Sequence, residues 1–291
     1  MQLGLMVVNA FLRTTKFDDI YQTLRGAAQK VGMELEVRTN AELCATVDTP
    51  AFDPAPYDFV LFWDKDVQLA TQLVQRGMRV FNHPRAILAC DDKALTYLTL
   101  KRYGIPMPRT ILAPKTFSTV GYGDLAFVDE AAQALGYPVV LKECFGSFGQ
   151  QVYLFHDPQA LREKVRALGA TPLLFQELIR ESYGRDARIN VVGGRVVAAM
   201  LRHSTGGDFR SNLTLGGSMA PYVPTREEEA LALRATELLG LDFAGVDILF
   251  GKRGPLLCEV NSNAHFKTTF QCTGVDMAVE ILRYIGQRIN G

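Results

Sequence analysis

The chain has 291 residues, 48% of them hydrophobic and 21% charged, with 31 Lys and Arg against 31 Asp and Glu. This composition excludes a disordered or collagen-like chain, and at roughly 150 residues per domain the length predicts about two domains. Zero net charge gives no overall attraction for nucleic acid or an acidic membrane, so any polyanion must meet a local cluster of cations. The five cysteines (Cys44, Cys90, Cys144, Cys258 and Cys272) include no C-x-x-C pair. They read as small buried hydrophobes in a reducing compartment rather than as a disulfide framework or zinc knuckle. The apolar start, Met1 to Phe11, lacks a basic leader and an A-x-A site, and no apolar run reaches the roughly 20 residues of a membrane span. A cytoplasmic protein is expected, with no membrane partner.

The first 90 residues alternate strand and helix. Leu3–Val8 is a continuous apolar run suited to a strand buried on both faces. Ile20, Leu24, Ala27, Ala28 and Val31 share one helix face, closed by Gly32. Leu35–Val37, Phe59–Phe62 and Val80–Phe81 read as further strands, and Val67–Val74 as a helix closed by Gly77. This βαβ alternation predicts a parallel sheet, with the proline-bearing stretch Asp48–Tyr57 as a loop. Asp91 or Asp92 caps a helix running to Tyr103. Strand Val139–Lys142, the turn Phe145–Gly149, strand Val152–Phe155 and a helix over 158–168 follow. A hairpin pairs Ala187–Val192 with Val196–Leu201 about Gly193-Gly194. A second pairs Val246–Phe250 with Leu256–Val260 about a turn centred on Arg253. Between them a helix runs from Arg226 to Leu239, and a last one closes the chain over Asp276–Arg288.

The second hairpin carries the clearest chemistry. Asp247 and Glu259 each lie six residues from Arg253, so a symmetric register sets them face to face, with Asn261 two residues on along the same face. The other face would hold Val246, Ile248, Phe250, Leu256, Cys258 and Val260. Opposed carboxylates destabilise a sheet unless a positive charge lies between them, and oxygen donors of this kind suit Mg²⁺ or Mn²⁺. If the pair only repels, replacing either acid should leave folding intact. In the first hairpin Asp186, Arg188 and Asn190 share a face, and Arg202, His203, Arg210 and Asn212 follow in a basic, glycine-rich stretch. Lys142 follows an apolar run, and Gly146 to Gly149 could turn backbone N–H groups toward phosphates. Neither a Walker A loop nor a Rossmann fingerprint occurs, and no Ser-His-Asp, Cys-His or H-E-x-x-H set stands out.

This succession resembles a family. A helix lysine and a strand lysine with a glycine turn are followed by Phe175-Gln-Glu-Leu-Ile179, Gly184-Arg-Asp-Ala-Arg188 and Phe209-Arg-Ser-Asn212. Gly245-Val-Asp247 and Glu259-Val-Asn261 complete it. From about Asn82 onward the chain is similar to the ATP-grasp ligases, and among them to the RimK-like glutamate ligases. The resemblance implies an α/β (α+β) ATP-grasp fold: an N-terminal βαβ domain over 1–90, a central subdomain with a glycine lid over 91–175, and a C-terminal subdomain with the metal site over 176–291. It implies ATP and Mg²⁺ or Mn²⁺ as cofactors, and an amino acid or carboxylate as substrate, with a peptide or protein acceptor and a homo-oligomer left open.

Residue by residue, the resemblance gives Lys93 and Lys142 to the phosphates, and Gly146, Ser147 and Gly149 to the lid. Gln176, Glu177, Leu178 and Ile179 would hold adenine, largely through backbone groups. Glu181 or Asp186 would meet the ribose or orient a neighbouring basic group. Arg210 and Asn212 would meet the γ-phosphate, with Arg188 and Arg202 as further catalytic cations. Asp247, Glu259 and Asn261 would hold the metal. A strict hairpin register sets Arg202 on the face opposite Arg188, in conflict with its family position. The chain departs from the family after Asn261: Ser262-Asn-Ala-His-Phe-Lys-Thr-Thr-Phe270 stands where relatives that add glutamate carry a small loop with Pro-Gly. Asn263, His265 and Lys267 are expected to bind substrate there, with Phe266 and Phe270 as an apolar wall.

Overall fold

The computed structural model describes residues 1–12, 15–47, 53, 55–147, 149–212 and 216–291. Phe148 of the glycine turn, and residues 48–52 and 54 of the expected proline loop, lie outside the described residues. The chain begins β1 (Gln2–Val8), α1 (Thr15–Lys30), β2 (Met33–Thr39), α2 (Asn40–Leu43), β3 (Phe59–Phe62), α3 (Val67–Gln75) and β4 (Val80–Phe81). The four strands form a parallel sheet in the order β2-β1-β3-β4. Both faces are buried, and the two-residue period of a strand divides the side chains between them. Leu5 and Val7 join Leu69 and Leu73 of α3, while Met6 and Val8 join Ile20 and Leu24 of α1.

Two helices follow, α4 (Pro84–Asp91) and α5 (Lys93–Lys101), capped by the side chains of His83 and Asp92. Next come β5 (Thr110–Leu112), α6 (Ala126–Leu135), β6 (Val139–Glu143), β7 (Val152–Phe155), α7 (Pro158–Leu168) and β8 (Leu173–Glu177). Their strands make an antiparallel sheet, β5-β8-β6-β7, with α6 and α7 packed on one face. The chain ends with β9 (Arg185–Val192), β10 (Arg195–Ser204), β11 (Gly217–Pro221), α8 (Arg226–Leu239), β12 (Phe243–Gly251), β13 (Gly254–Asn261), α9 (Lys267–Thr273) and α10 (Met277–Asn290). The five-stranded antiparallel sheet β11-β10-β9-β12-β13 rests one face on α8 through Ile189, Val191, Val246, Ile248 and Leu257. The last helix, α10, returns to the first sheet: Ala278, Ile281, Leu282 and Ile285 pack in one core with α1 and β1. No helix among the described residues is long and apolar enough to cross a membrane.

Two β-bulges set the register of the five-stranded sheet. Next to the second turn, Gly251 pairs with Gly254 and Ile248 with Leu257; after a bulge, Asp247 pairs with Glu259 and Gly245 with Asn261. The expected Asp247–Glu259 pair is therefore present, but next to the turn the register is one residue tighter than the symmetric one, and the bulge at Cys258 restores the offset. Cys258 consequently leaves the expected core face and lines the cleft, while Leu257 takes the buried place at 1% exposure. In the first hairpin Val196 pairs with Val191, but Ala198 pairs with Asn190 and Arg202 with Asp186. The bulge between Val196 and Ala198 turns Arg202 onto the face of Asp186 and Arg188, which removes the conflict with the strict register. A bulge inserts one residue and so reverses the facing of everything beyond it.

Asn82 joins the first sheet to the third. Its side chain has no exposed surface. Its amide nitrogen donates to the carbonyls of Phe243 and Ser262, both at 2.9 Å, and its oxygen accepts from the N–H groups of Asp242 and Phe243 at 2.7 and 3.2 Å. All four hydrogen-bonding positions of the amide are used. They fix the start of β12 and the residue after β13, the two strands that carry Asp247 and Asn261.

Candidate active site

The four-stranded antiparallel sheet and the five-stranded sheet face each other across an open cleft lined by residues of both. From the side of β6 and α5 come two buried lysines, each less than 10% exposed. Lys142 lies 3.8 Å from the Cys258 sulfur. Burial alone would lower its ammonium below the usual range; Cys258, Tyr97 and Glu259 more than reverse this, so the amine stays charged. Burial pushes the Cys258 thiol up to about 11, although Lys142 pulls it down. Lys93 bridges Glu259 at 3.4 Å and the Gly146 carbonyl at 3.1 Å.

The glycine turn closes one end. Gly146 and Gly149 have φ of 131° and 72°, conformations that L side chains rarely adopt. A Cβ on Gly149 would also collide with Asn212. Arg210 grips Asp208 with two nitrogens and donates a third to the Gly149 carbonyl at 2.8 Å. The turn is thus held by two cations, Lys93 and Arg210, through its own carbonyls.

The opposite end of the cleft is the segment after β8. Gln176 is buried and its amide nitrogen donates to Tyr97 and Thr110; Tyr97 in turn donates to the Cys258 carbonyl at 2.7 Å. Gln176 thereby braces the bulge rather than reaching into the cleft with its amide. Glu177 accepts from the Arg109 N–H at 2.7 Å. The Leu178 N–H and C=O and the Ile179 N–H make no hydrogen bond to other described residues and lie at the cleft wall. Two donors and an acceptor in a row on an apolar edge are what a purine edge needs.

On the floor, the face of the five-stranded sheet carries alternating charges. Arg202 forks onto Asp186 at 2.7 and 2.6 Å and reaches Asp247 at 3.0 Å. Arg188 forks onto Asp247 through Nε and Nη2. Burial raises the Asp247 carboxyl, but Arg188 and Arg202 hold it below the usual carboxylate range. The repulsion expected between Asp247 and Glu259 is therefore offset by cations on both acids, and it gives no reason for folding to be untouched when Asp247, gripped by two arginines, is replaced. Asn261 donates to the Gly245 carbonyl at 3.4 Å and lines the adjoining pocket. Among the described residues no three His, Cys, Asp or Glu side chains come together. The donors available to a divalent cation are two carboxylates and an amide, all hard oxygens that suit Mg²⁺ or Mn²⁺ and leave the rest of the shell to phosphate and water.

A second pocket adjoins the first and shares Arg202, Asn212, Asp247 and Glu259 with it. Ser147, Arg188, Asn261, Asn263, His265 and Lys267 line it, with Thr268 and Gln271 of α9. Asn263 donates to the Asp64 carbonyl at 3.1 Å, His265 meets Phe17 edge-on, and Lys267 pairs with Asp19. The expected aromatic wall is elsewhere. Phe266 is 4% exposed and packs edge-on against Trp63, and Phe270 faces solvent. Phe17, Ile20 and Trp63 of the N-terminal unit supply the apolar wall instead. Glu181 lies outside both pockets, in a groove on the outer side of the segment after β8, whereas Asp186 orients Arg202. Sequence reasoning gave no role in the site to Tyr97, Asn82 or the Phe17 wall and named Gly245 only as the head of Gly245-Val-Asp247; for the wall no local pattern in the sequence signals it.

Comparison with known proteins agrees with this geometry. Residues 90–285 match the model of the RimK-like ATP-grasp domain. Over 223 residues the chain is 36% identical to human N-acetylaspartylglutamate synthase A, covering 76% of this chain and 56% of that one. It is 39% identical over 206 residues to a probable alpha-L-glutamate ligase of Syntrophotalea carbinolica, covering 70% and 66%. The chain thus spans little more than half the length of the human relative. A solved RimK domain ATP-grasp protein of Sphaerobacter thermophilus superposes with a TM-score of 0.74 at 22% identity, over 98% of this chain and 99% of that one. With these matches and the mixed α/β architecture, the chain belongs to the RimK-like ATP-grasp family.

Proposed function

We propose that this protein is an ATP-dependent carboxylate–amine ligase that forms an amide bond through an acyl phosphate and releases ADP and phosphate. The observation that carries the reading is the shared floor of the two pockets. Asp247 and Glu259 line both the nucleotide cleft and the second pocket, so a γ-phosphate and a substrate carboxylate would meet over the same carboxylates. The segment 177–179 takes the adenine edge, Lys93 and Lys142 take phosphate oxygens, and the turn from Gly146 to Gly149 covers them. Asp247, Glu259 and Asn261 would hold Mg²⁺ or Mn²⁺, which supplies neutralising charge to the transferring phosphoryl group.

In the first step a substrate carboxylate oxygen bonds to the γ-phosphorus and the bond to ADP breaks. In the second the amine nitrogen bonds to the acyl carbon, the acyl–oxygen bond breaks, phosphate leaves, and the amine gives up a proton. Arg188, Arg202 and Arg210 surround that centre with positive charge, and the covered cleft keeps water from the acyl phosphate. Asn263 and His265 with the Phe17 and Trp63 wall select the acid or amine, and the names of the relatives support glutamate as the first amine to try. The boundaries near residues 90 and 175 divide the chain into the three units of this scheme.

A screen for ADP release that depends on both an acid and an amine, with mass spectrometry of the products, tests the reading. Release needing only water, or a product without a new amide, would refute it.

A further inference from the structure

In the structure Arg188 occupies the oxygens that the metal reading assigns to a cation. An ionised carboxylate offers about four lone-pair positions. On Asp247 three are taken, two by Arg188 and one by Arg202. The surrounding cations already outnumber the acids: Asp186, Asp247 and Glu259 face Arg188, Arg202, Lys93 and Lys142. A dication added to this arrangement would meet two guanidiniums across one nearly filled carboxylate, with the side chains of both partners about 90% buried. The two guanidiniums differ in what else holds them. Arg202 keeps its fork on Asp186 whatever happens at Asp247. Arg188 has Asp247 as its only ion-pair partner among the described residues, and it lines the second pocket rather than the nucleotide cleft.

Its resting position has been given room. A Cβ on Gly245 would lie 2.5 Å from the Ala264 Cβ and 3.2 Å from both Cδ and Nη1 of Arg188, all tighter than ordinary contact. The glycine two residues before Asp247 leaves room for Ala264 and for the arginine arm together.

We propose that Arg188 and the divalent cation are alternative partners of Asp247. With the site empty of metal, Arg188 neutralises the carboxylate. When Asp247 and Glu259 take the cation, Arg188 leaves Asp247 and its guanidinium turns into the second pocket, where an anionic group of the acid substrate replaces the lost partner. The proposal rests on the metal assignment of the ligase reading and adds an order to it: metal and nucleotide first, acid second.

Binding of Mn²⁺ alone to the full chain, followed by the electron paramagnetic resonance signal of free Mn²⁺, separates the two. Arg188→Met removes the competitor, and Arg202 still covers part of Asp247, so folding is retained. The expected result is Mn²⁺ affinity higher by about tenfold or more, the scale of one charge-assisted hydrogen-bonded contact. Arg188→Lys keeps the charge but cannot span both oxygens, and should fall between wild type and Met. If either variant binds Mn²⁺ no more tightly than wild type, Arg188 is not a competitor and the proposal is overturned. Asp247→Asn and Glu259→Gln are run beside them. Loss of Mn²⁺ binding in both, with no gain in the Arg188 variants, would remove the exchange and keep the metal site. Unchanged binding in both acid variants would remove the metal assignment itself and the exchange with it.

Discussion

Replacing Asp247 by Asn should destabilise the metal-free protein, and replacing Glu259 by Gln should hardly do so. The side chain of Asp247 is 7% exposed and is gripped by two guanidiniums whose side chains are 11% and 7% exposed. Breaking a buried ion pair by removing one partner costs about 3–5 kcal/mol, because the other charge is left buried without compensation. Two features soften this. Arg202 keeps its fork on Asp186, and the amide of Asn still offers one acceptor oxygen. That leaves Arg188 as the principal orphan, so about 2–4 kcal/mol is expected. Glu259 has a side chain 29% exposed, and Lys93 retains the Gly146 carbonyl when the acid is lost. With the acid open to solvent and that second partner kept by Lys93, the loss should be about 1 kcal/mol, well below that of Asp247. Urea unfolding in EDTA without nucleotide would measure both, provided the two variants keep the wild-type slope. Equal stabilities, or an Asp247→Asn variant more stable than wild type, would refute the claim that the arginines, rather than mutual repulsion, set the energetics of this sheet face.

Lys142→Ala should weaken binding of a non-hydrolysable ATP analogue with Mg²⁺ by about 1.5–3 kcal/mol, the range for a hydrogen bond to a charged group; calorimetry showing unchanged affinity would place the amine outside the site. Asn82→Ala strands two carbonyls and two N–H groups in a fully buried place, and should cost about 2–5 kcal/mol by denaturant titration. Burial holds the Asp242 carboxyl above its ordinary value although Tyr284 donates to it, so the folded state favours the proton and stability falls as pH rises above the ordinary carboxylate value. Asp242→Asn should therefore melt higher than wild type at neutral pH and lose that advantage below about pH 4, and an advantage that grows in acid would contradict the sign.

The sheet strands and most helices were legible because their patterns are local. Leu3–Val8 is apolar throughout, Thr225 and Gly240 bound α8, and Gly193-Gly194 makes a two-residue turn. Helix α6 escaped despite its apolar face of Val128, Ala131 and Ala132, but several other elements that escaped have weak patterns. Strand β11 is Gly-Ser-Met-Ala-Pro, and α9 is Lys-Thr-Thr-Phe-Gln-Cys-Thr, rich in β-branched threonine with no clear apolar face. Helix α4 begins on a proline, which suits a first turn as well as it suits a loop. Of the site, the Asp247–Glu259 pair could be read from hairpin symmetry, but for a partly mistaken reason: a tighter turn and a bulge cancelled. The bulge after Val196 carries no composition signal, so only the family position of Arg202, in conflict with the strict register, pointed to its turn. Contacts between distant segments left no trace at all. Nothing near Asn82 announces Phe243 and Ser262, and nothing near Phe17 announces His265.

The central claim, amide formation through an acyl phosphate on this site, is tested most directly by isotope transfer. An acid substrate found in the ADP-release screen is labelled with ¹⁸O in its carboxylate and turned over with ATP and the amine, and the released phosphate is weighed by mass spectrometry. The account predicts one ¹⁸O in each phosphate, because the carboxylate oxygen that bonded to phosphorus leaves with it. Phosphate free of label, with amide formed, would contradict it.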